Sequence, residues 1–346
     1  MITNHLHTRV TRRTVLAGAT ATVAATTMSR GADPAAAQEA TPVASSIPQP
    51  DMRGAVHGFQ LGSFACLAVS DGASVDPESF PLLLAGSSPE EIDEALSAAE
   101  GEPATSASHH TPMVIDTGEH LVLVDTGFGP GISPNDGLLL ENLQAQGITP
   151  EDIDVVVITH GHPDHIGGNA DADGNPVFPN ARYVISQEDW DFWSDPAQVE
   201  AAVPVPEFRE LLLAFAGMHL APLADRFDMI GYDEEIVPGI TSIAAQGHTP
   251  GHMALFVESE GEHLWIASDA ALIPLNLPFP NLVGLPDVNP EQMIETRREL
   301  LARMAEDGGL VSFYHFDPFP SLGHVVAEGD AWVWEPISVD AATPVP

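Results

Sequence analysis

The segment Thr159-His160-Gly161-His162-Pro163-Asp164-His165-Ile166-Gly167-Gly168 concentrates imidazoles and a carboxylate in one short stretch. His160 and His162 lie two apart, so in an extended loop both point toward one ion. Asp164 and His165 follow a proline that turns the chain, and they face a second position. Borderline and hard divalent ions favour this mixture, with zinc the commonest occupant and manganese, cobalt or iron as alternatives. Three further segments add donors. His248 stands in Gly247-His248-Thr249-Pro250-Gly251-His252, Asp269 closes Leu264-Trp265-Ile266-Ala267-Ser268-Asp269, and His315 closes Phe313-Tyr314-His315. A lone histidine in such a loop would be read as a cap on a neighbouring element. Burying this many polar groups together without a shared ion is too expensive for that reading.

Two ions roughly 3.5–4 Å apart share a bridging water and lower its pKa toward neutrality. The resulting hydroxide attacks a C=O or P=O group that one metal polarises. Asp164, beside that water, orients it and accepts its proton. No Gly-x-Ser-x-Gly elbow offers a serine nucleophile instead. The expected reaction is metal-assisted hydrolysis.

These side chains meet only if strand ends converge. Residues 154–159 (DVVVIT) form a continuous apolar run, the pattern of a strand buried on both faces, so the histidine motif emerges at its C-terminal end. Strands are also predicted at 64–70, 112–115, 120–125, 181–186, 241–245, 253–258, 263–268 and 310–314. Asp71-Gly72 and Thr117-Gly118 read as turns. Helices are predicted over 138–146, ended by Gly147, and over 187–192 and 291–306. Within the Pro/Ser/Gly-rich stretch 73–110 one short helix starts at Ser88-Pro89-Glu90-Glu91. Helices covering sheets, with the special residues at strand ends, make this an α/β chain.

The chain has 346 residues, 11 Lys+Arg against 50 Asp+Glu and a net charge of −39, and all its basic residues are arginine. That length and an apolar content of 44% suffice for a sizeable core. So negative a protein repels phosphate, which argues against nucleic acid as a partner. The single cysteine, Cys66, excludes an intramolecular disulfide and any multi-cysteine metal site. Residues 1–37 differ from the rest, with Arg9, Arg12, Arg13 and Arg30 against Asp33 alone. Thr11-Arg12-Arg13-Thr14 precedes a weakly apolar stretch and Ala35-Ala36-Ala37, the pattern of a Tat-type export signal with a small-residue cleavage site. The expectation is export to the periplasm or beyond, with 38–53 as a flexible linker. No segment approaches the roughly 18 apolar residues that a membrane span needs.

Taken together, HGHPDHIGG, Leu123-Val124-Asp125-Thr126-Gly127, GHTPGH and the strand-final Asp269 resemble the metallo-β-lactamase fold superfamily. Phe319-Pro320, Gly323-His324-Val325 and the long segment before the first motif resemble its methyl parathion hydrolase-like and quorum-quenching lactonase branch. The resemblance implies an αββα sandwich, two mixed β-sheets covered by helices, in a hydrolase domain over residues 54–340. It implies that His160, His162 and His248 hold one metal, that Asp164, His165 and His315 hold the second, and that Asp269 bridges them. Asp125 would orient a ligand without binding metal, and His252 is read as supporting the site in the same way. In His315-Phe316-Asp317-Pro318-Phe319-Pro320 the residue Asp317 is inserted relative to the resembled proteins. It either forms a harmless bulge or moves His315 and brings Asp317 to the metal. The branch also suggests homodimerisation through residues 73–110.

Aromatic, proline-rich loops favour a small neutral or apolar substrate such as a lactone, an aryl ester or a phosphotriester, with Trp193, Phe279 and Phe319 as candidate pocket residues. Two alternatives share the fold. A thioester hydrolase resembling glyoxalase II would call for basic residues that are sparse here, and an iron-dependent redox enzyme would bring different chemistry to the same ligands.

Overall fold

In a computed structural model the chain is described over residues 50–74, 80–98, 107–132 and 135–339. The expected export signal (1–37) and most of the expected linker (38–53) lie outside the described residues. Two seven-stranded sheets form the centre. The first contains β1 (Val56–Leu61), β2 (Phe64–Val69), β5 (Met113–Asp116), β6 (Leu121–Val124), β7 (Val155–Val157), β8 (Arg182–Ser186) and β9 (Phe227–Ile230), side by side in that order. Its first four strands run antiparallel to their neighbours, and β6 to β9 are parallel. Between β2 and β5, β3 (Gly72–Ser74) pairs with β4 (Ser108–His110) as a separate ribbon. The second sheet contains β10 (Glu235–Val237), β11 (Ile240–Ala244), β12 (Met253–Ser259), β13 (Glu262–Ile266), β14 (Leu310–Ser312), β15 (Leu322–Glu328) and β16 (Ala331–Pro336). Only β13 and β14 pair in parallel there. Both sheets are thus mixed.

Side-chain alternation assigns the layers. Cys66, Ala68, Val122, Val124, Val155 and Val157 turn inward against Met253, Leu255, Val257, Leu264 and Ile266 of the other sheet. The intervening Leu67, Val69, Leu123 and Val156 face outward and are covered by helices. Those helices are α2 (Leu139–Ala145), α4 (Gln187–Ser194), α5 (Pro196–Ala202) and α6 (Pro206–His219), while α1 (Pro89–Ala98) and α3 (Pro163–Ile166) lie in connections. On the far side Met293, Leu300, Leu301 and Met304 of α7 (Pro290–Asp307) cover Ile243, Ala254, Trp265, Val311 and Val325. The result is the expected αββα sandwich.

Expected helix ends hold where chemistry dictates them. Ser88 and Glu91 form a capping box before α1. Gly147 (φ +80°) and Gly308 (φ +69°) follow α2 and α7 in the left-handed conformation. Asp71-Gly72 departs from expectation. It leads into β3 rather than turning a hairpin, because the buried Asp71 carboxylate accepts N–H bonds from Phe128, Gly137 and Leu139. Strands at the centre are shorter than predicted. β7 stops at Val157, β13 at Ile266 and β14 at Ser312, so each leaves two or more residues to lead into a site side chain.

Candidate metal centre

The chain leaves β7 and at once meets Asp125, which directly follows β6 in the left-handed region at φ +60°. Thr159 donates its N–H to Asp125 Oδ1 over 2.8 Å, which anchors the start of the histidine motif. His162 precedes α3, Pro163 fills its first turn and His165 lies within it. His248 follows β11, Asp269 sits in a 3₁₀ turn after β13, and His315 stands three residues beyond β14.

All seven predicted donors converge. His162 Nδ1 lies 3.0 Å from His160 Nε2 and 2.8 Å from His248 Nε2. Asp269 Oδ2 lies 3.2 Å from His248 Nε2 and 3.3 Å from His315 Nε2, while its Oδ1 lies 3.4 Å from His165 Nε2. Asp164 Oδ2 is 3.3 Å from His315 Nε2. Donor atoms of His160, His162, His248 and Asp269 gather within 4.8 Å of one another, as do those of His165, Asp269 and His315. Asp269 belongs to both groups.

Outer partners fix which nitrogen faces inward. His165 Nδ1 lies 2.8 Å from Asp125 Oδ2, and His248 Nδ1 lies 2.8 Å from Asp287 Oδ1. His315 Nδ1 donates to the carbonyl of His109 over 2.8 Å. Each proton is thereby held on the outer nitrogen, and each inner lone pair points at carboxylate oxygens or at other imidazole lone pairs. His165 Nε2 is buried without a hydrogen-bond partner. Lone pairs and carboxylates so opposed repel unless positive charge lies between them, and divalent ions supply it. The carboxylates also draw positive charge onto two of the rings. Burial would push His248 and His315 down, but Asp269 with Asp287 raises the first to about 9, and Asp269 with Asp164 raises the second to about 10. His160 and His162 are held well below the usual imidazole range by burial. The residues fit metal.

Among the supporting residues, Asp125 stands against His165 as expected. His252 donates from Nδ1 to the Ala245 carbonyl over 2.8 Å, and its Nε2 accepts from the Asp269 N–H at 3.4 Å. Asp317 lies away from the donors, 3.0 Å from His109 Nε2, and His315 keeps its place among them.

A cavity of about 210 Å³ opens on the donors, with Leu83, Phe128, Phe208, Leu211, Leu272 and Pro286 as its apolar walls. The three expected pocket aromatics lie elsewhere. Trp193 packs behind His162, with ring centroids 5.5 Å apart, and donates its indole N–H to Asp189. Phe279 joins the small cluster around Leu84 and Ile273, and Phe319 packs toward Met52, Ala73 and Leu138. In each case ordinary packing claimed the ring. Sequence reasoning also missed Asp287 and Asp189. Asp189 accepts from Gly161 N–H, Trp193 Nε1–H, Thr249 Oγ1–H and Gly251 N–H, tying the two histidine loops together. Neither aspartate sits in a motif; only the N-cap pattern of α4 draws notice to Ser186 and Asp189.

A family model described as the Metallo-beta-lactamase superfamily matches residues 107–315. An N-acyl homoserine lactonase of Bacillus thuringiensis is 25% identical over 223 residues, covering 58% of this chain and 79% of that protein. Among solved structures, the hydrolase AbOPH of the beta lactamase superfamily superposes with a TM-score of 0.73 at 27% identity, over 83% of this chain and 98% of that one. The dizinc quorum-quenching lactonase AidC, in complex with a product N-hexanoyl-L-homoserine, gives a TM-score of 0.76 over 84% of this chain and 100% of its own. At 23% identity the latter likeness speaks for the fold.

Proposed function

Because the chain belongs to the metallo-beta-lactamase superfamily and is a metal-dependent hydrolase of that family, we propose that it uses two divalent ions to hydrolyse a small apolar lactone or ester. The observation that supports this reading is the Asp269 carboxylate, which meets both groups of imidazoles, its Oδ2 near His248 and His315 and its Oδ1 near His165. His160, His162 and His248 would hold the first ion, and Asp164, His165 and His315 the second, with Asp269 between them. Such a pair supplies an acidified water near neutral pH and Lewis-acid polarisation of the carbonyl, zinc being the natural occupant.

The chain's own residues do the rest. The Asp164 carboxylate lines the cavity, where it orients the attacking water, accepts its proton and returns it to the leaving alkoxide. Phe128, Phe208, Leu211 and Leu272 exclude bulk water and seat an acyl chain. Strong surface acidity disfavours anionic substrates, and the lactonase relatives make an N-acyl homoserine lactone the first candidate. The Arg12-Arg13 segment supports an enzyme that loads metal before export and works outside the cytoplasm.

The test is metal content per chain together with turnover of an N-acyl homoserine lactone, an aryl ester and a phosphotriester, before and after chelation. Two zinc, manganese or cobalt ions and chelator-sensitive ring opening are expected. One iron without hydrolysis would replace this reading with a redox one.

A further inference from the structure

Three buried histidines near the donors each meet a carboxylate through Nδ1. Two are His165 with Asp125 and His248 with Asp287, and in both the pairing turns the other nitrogen toward Asp269. The third is His110, at the end of β4, whose Nδ1 lies 3.1 Å from Asp136 Oδ1. Its ring is buried, lines the cavity and meets the His315 ring edge-on at 5.5 Å between centroids. Donor atoms of His110, Asp164 and His315 lie within 4.8 Å of one another. His109, its neighbour on the strand, provides the contrast. It faces the other way, its Nε2 meets Asp317, its Nδ1 is buried without a partner, and it joins none of the donor groups.

We propose that His110 is a metal ligand at the second position, beside Asp164 and His315. The inference rests on the dinuclear reading above. Asp136 would do for His110 what Asp125 does for His165, fixing the ring and making its inner nitrogen more basic. His110 shares Asp164 and His315 with that position, whose other donors, His165 and Asp269, gather with His315 on its far side.

The experiment titrates the metal-free full chain with Co²⁺, counting bound ions by elemental analysis and measuring each affinity by chelator competition and by the visible cobalt bands. It compares wild type with His110→Phe, which keeps the ring packing, and His110→Gln, which keeps a polar partner for Asp136. Two cobalt ions are expected on wild type. In His110→Phe the tighter ion should be unaffected, and the weaker one should lose affinity by at least about tenfold with a changed spectrum. Unchanged affinity and spectrum for both ions in a folded variant would overturn the inference alone. A single cobalt on wild type would overturn the dinuclear reading and this inference with it. If circular dichroism shows His110→Phe unfolded, His110→Gln decides by the same criteria.

Discussion

His248 Nδ1 lies 2.8 Å from Asp287 Oδ1, and both side chains are buried. Asp287 also accepts the Gly284 N–H over 2.7 Å, so the carboxylate is itself held in place. Replacing it by asparagine keeps the shape but lets the imidazole present the wrong tautomer. Asp287→Asn should weaken metal binding about 10–100-fold while leaving the fold intact. Chelator competition against wild type measures this, and equal affinities would show that His248 needs no such partner.

Removing a donor should abolish turnover with little effect on folding. Asp164→Ala and His162→Ala are expected to lower kcat by at least about a hundredfold, with near-native circular dichroism. Full turnover in a variant of verified metal content would refute the role given to that residue.

Gly161 owes its identity to a neighbour. A methyl group there would overlap the indole of Trp193, which is buried and tied to Asp189. Gly161→Ala should destabilise the protein by about 1–3 kcal/mol, as overpacking does. Combining it with Trp193→Leu should recover part of that loss. Denaturant midpoints decide, and an unshifted midpoint in the single variant would mean the indole moves freely.

Burial pushes the Asp71 carboxyl up to about 6 despite three backbone N–H bonds and the neighbouring His110. The folded state therefore binds a proton that the unfolded chain has released, and this contribution to stability is present below about pH 4 and lost as pH rises toward 6. Wild type should lose up to about 3 kcal/mol relative to Asp71→Asn between pH 4 and 7. Urea unfolding at fixed metal content across that range tests the slope; parallel curves would place the carboxyl at its ordinary value.

The sequence reveals most where a residue's role is decided locally. The apolar run 154–159 and the histidines behind it declare a buried strand and what emerges from it, and the capping serine and the glycines after α2 and α7 declare helix ends. Asp287 and His110 were illegible because each acts through a partner 39 or 26 positions away, with no motif to mark the pair. The aromatics misled for the opposite reason. Trp193, Phe279 and Phe319 have the chemistry of a pocket wall, but only packing says which rings face the cavity, and Phe128 and Phe208 do. β15 and β16 went unread because their alternation is weak and because the inner face of β15 is set by β14 and α7.

The chain crosses from one sheet to the other once, at 231–234, after the first sheet is complete and before the second begins. His160, His162, Asp164 and His165 come from the first half, and His248, Asp269 and His315 from the second. An ion shared by His162 and His248, 86 positions apart, would therefore be a reversible cross-link between two half-molecules, stabilising the docked state because it binds that state alone. Loading would then be a clasp that closes only when both halves have docked in register, so that a metal-filled site would certify correct assembly of the whole sandwich.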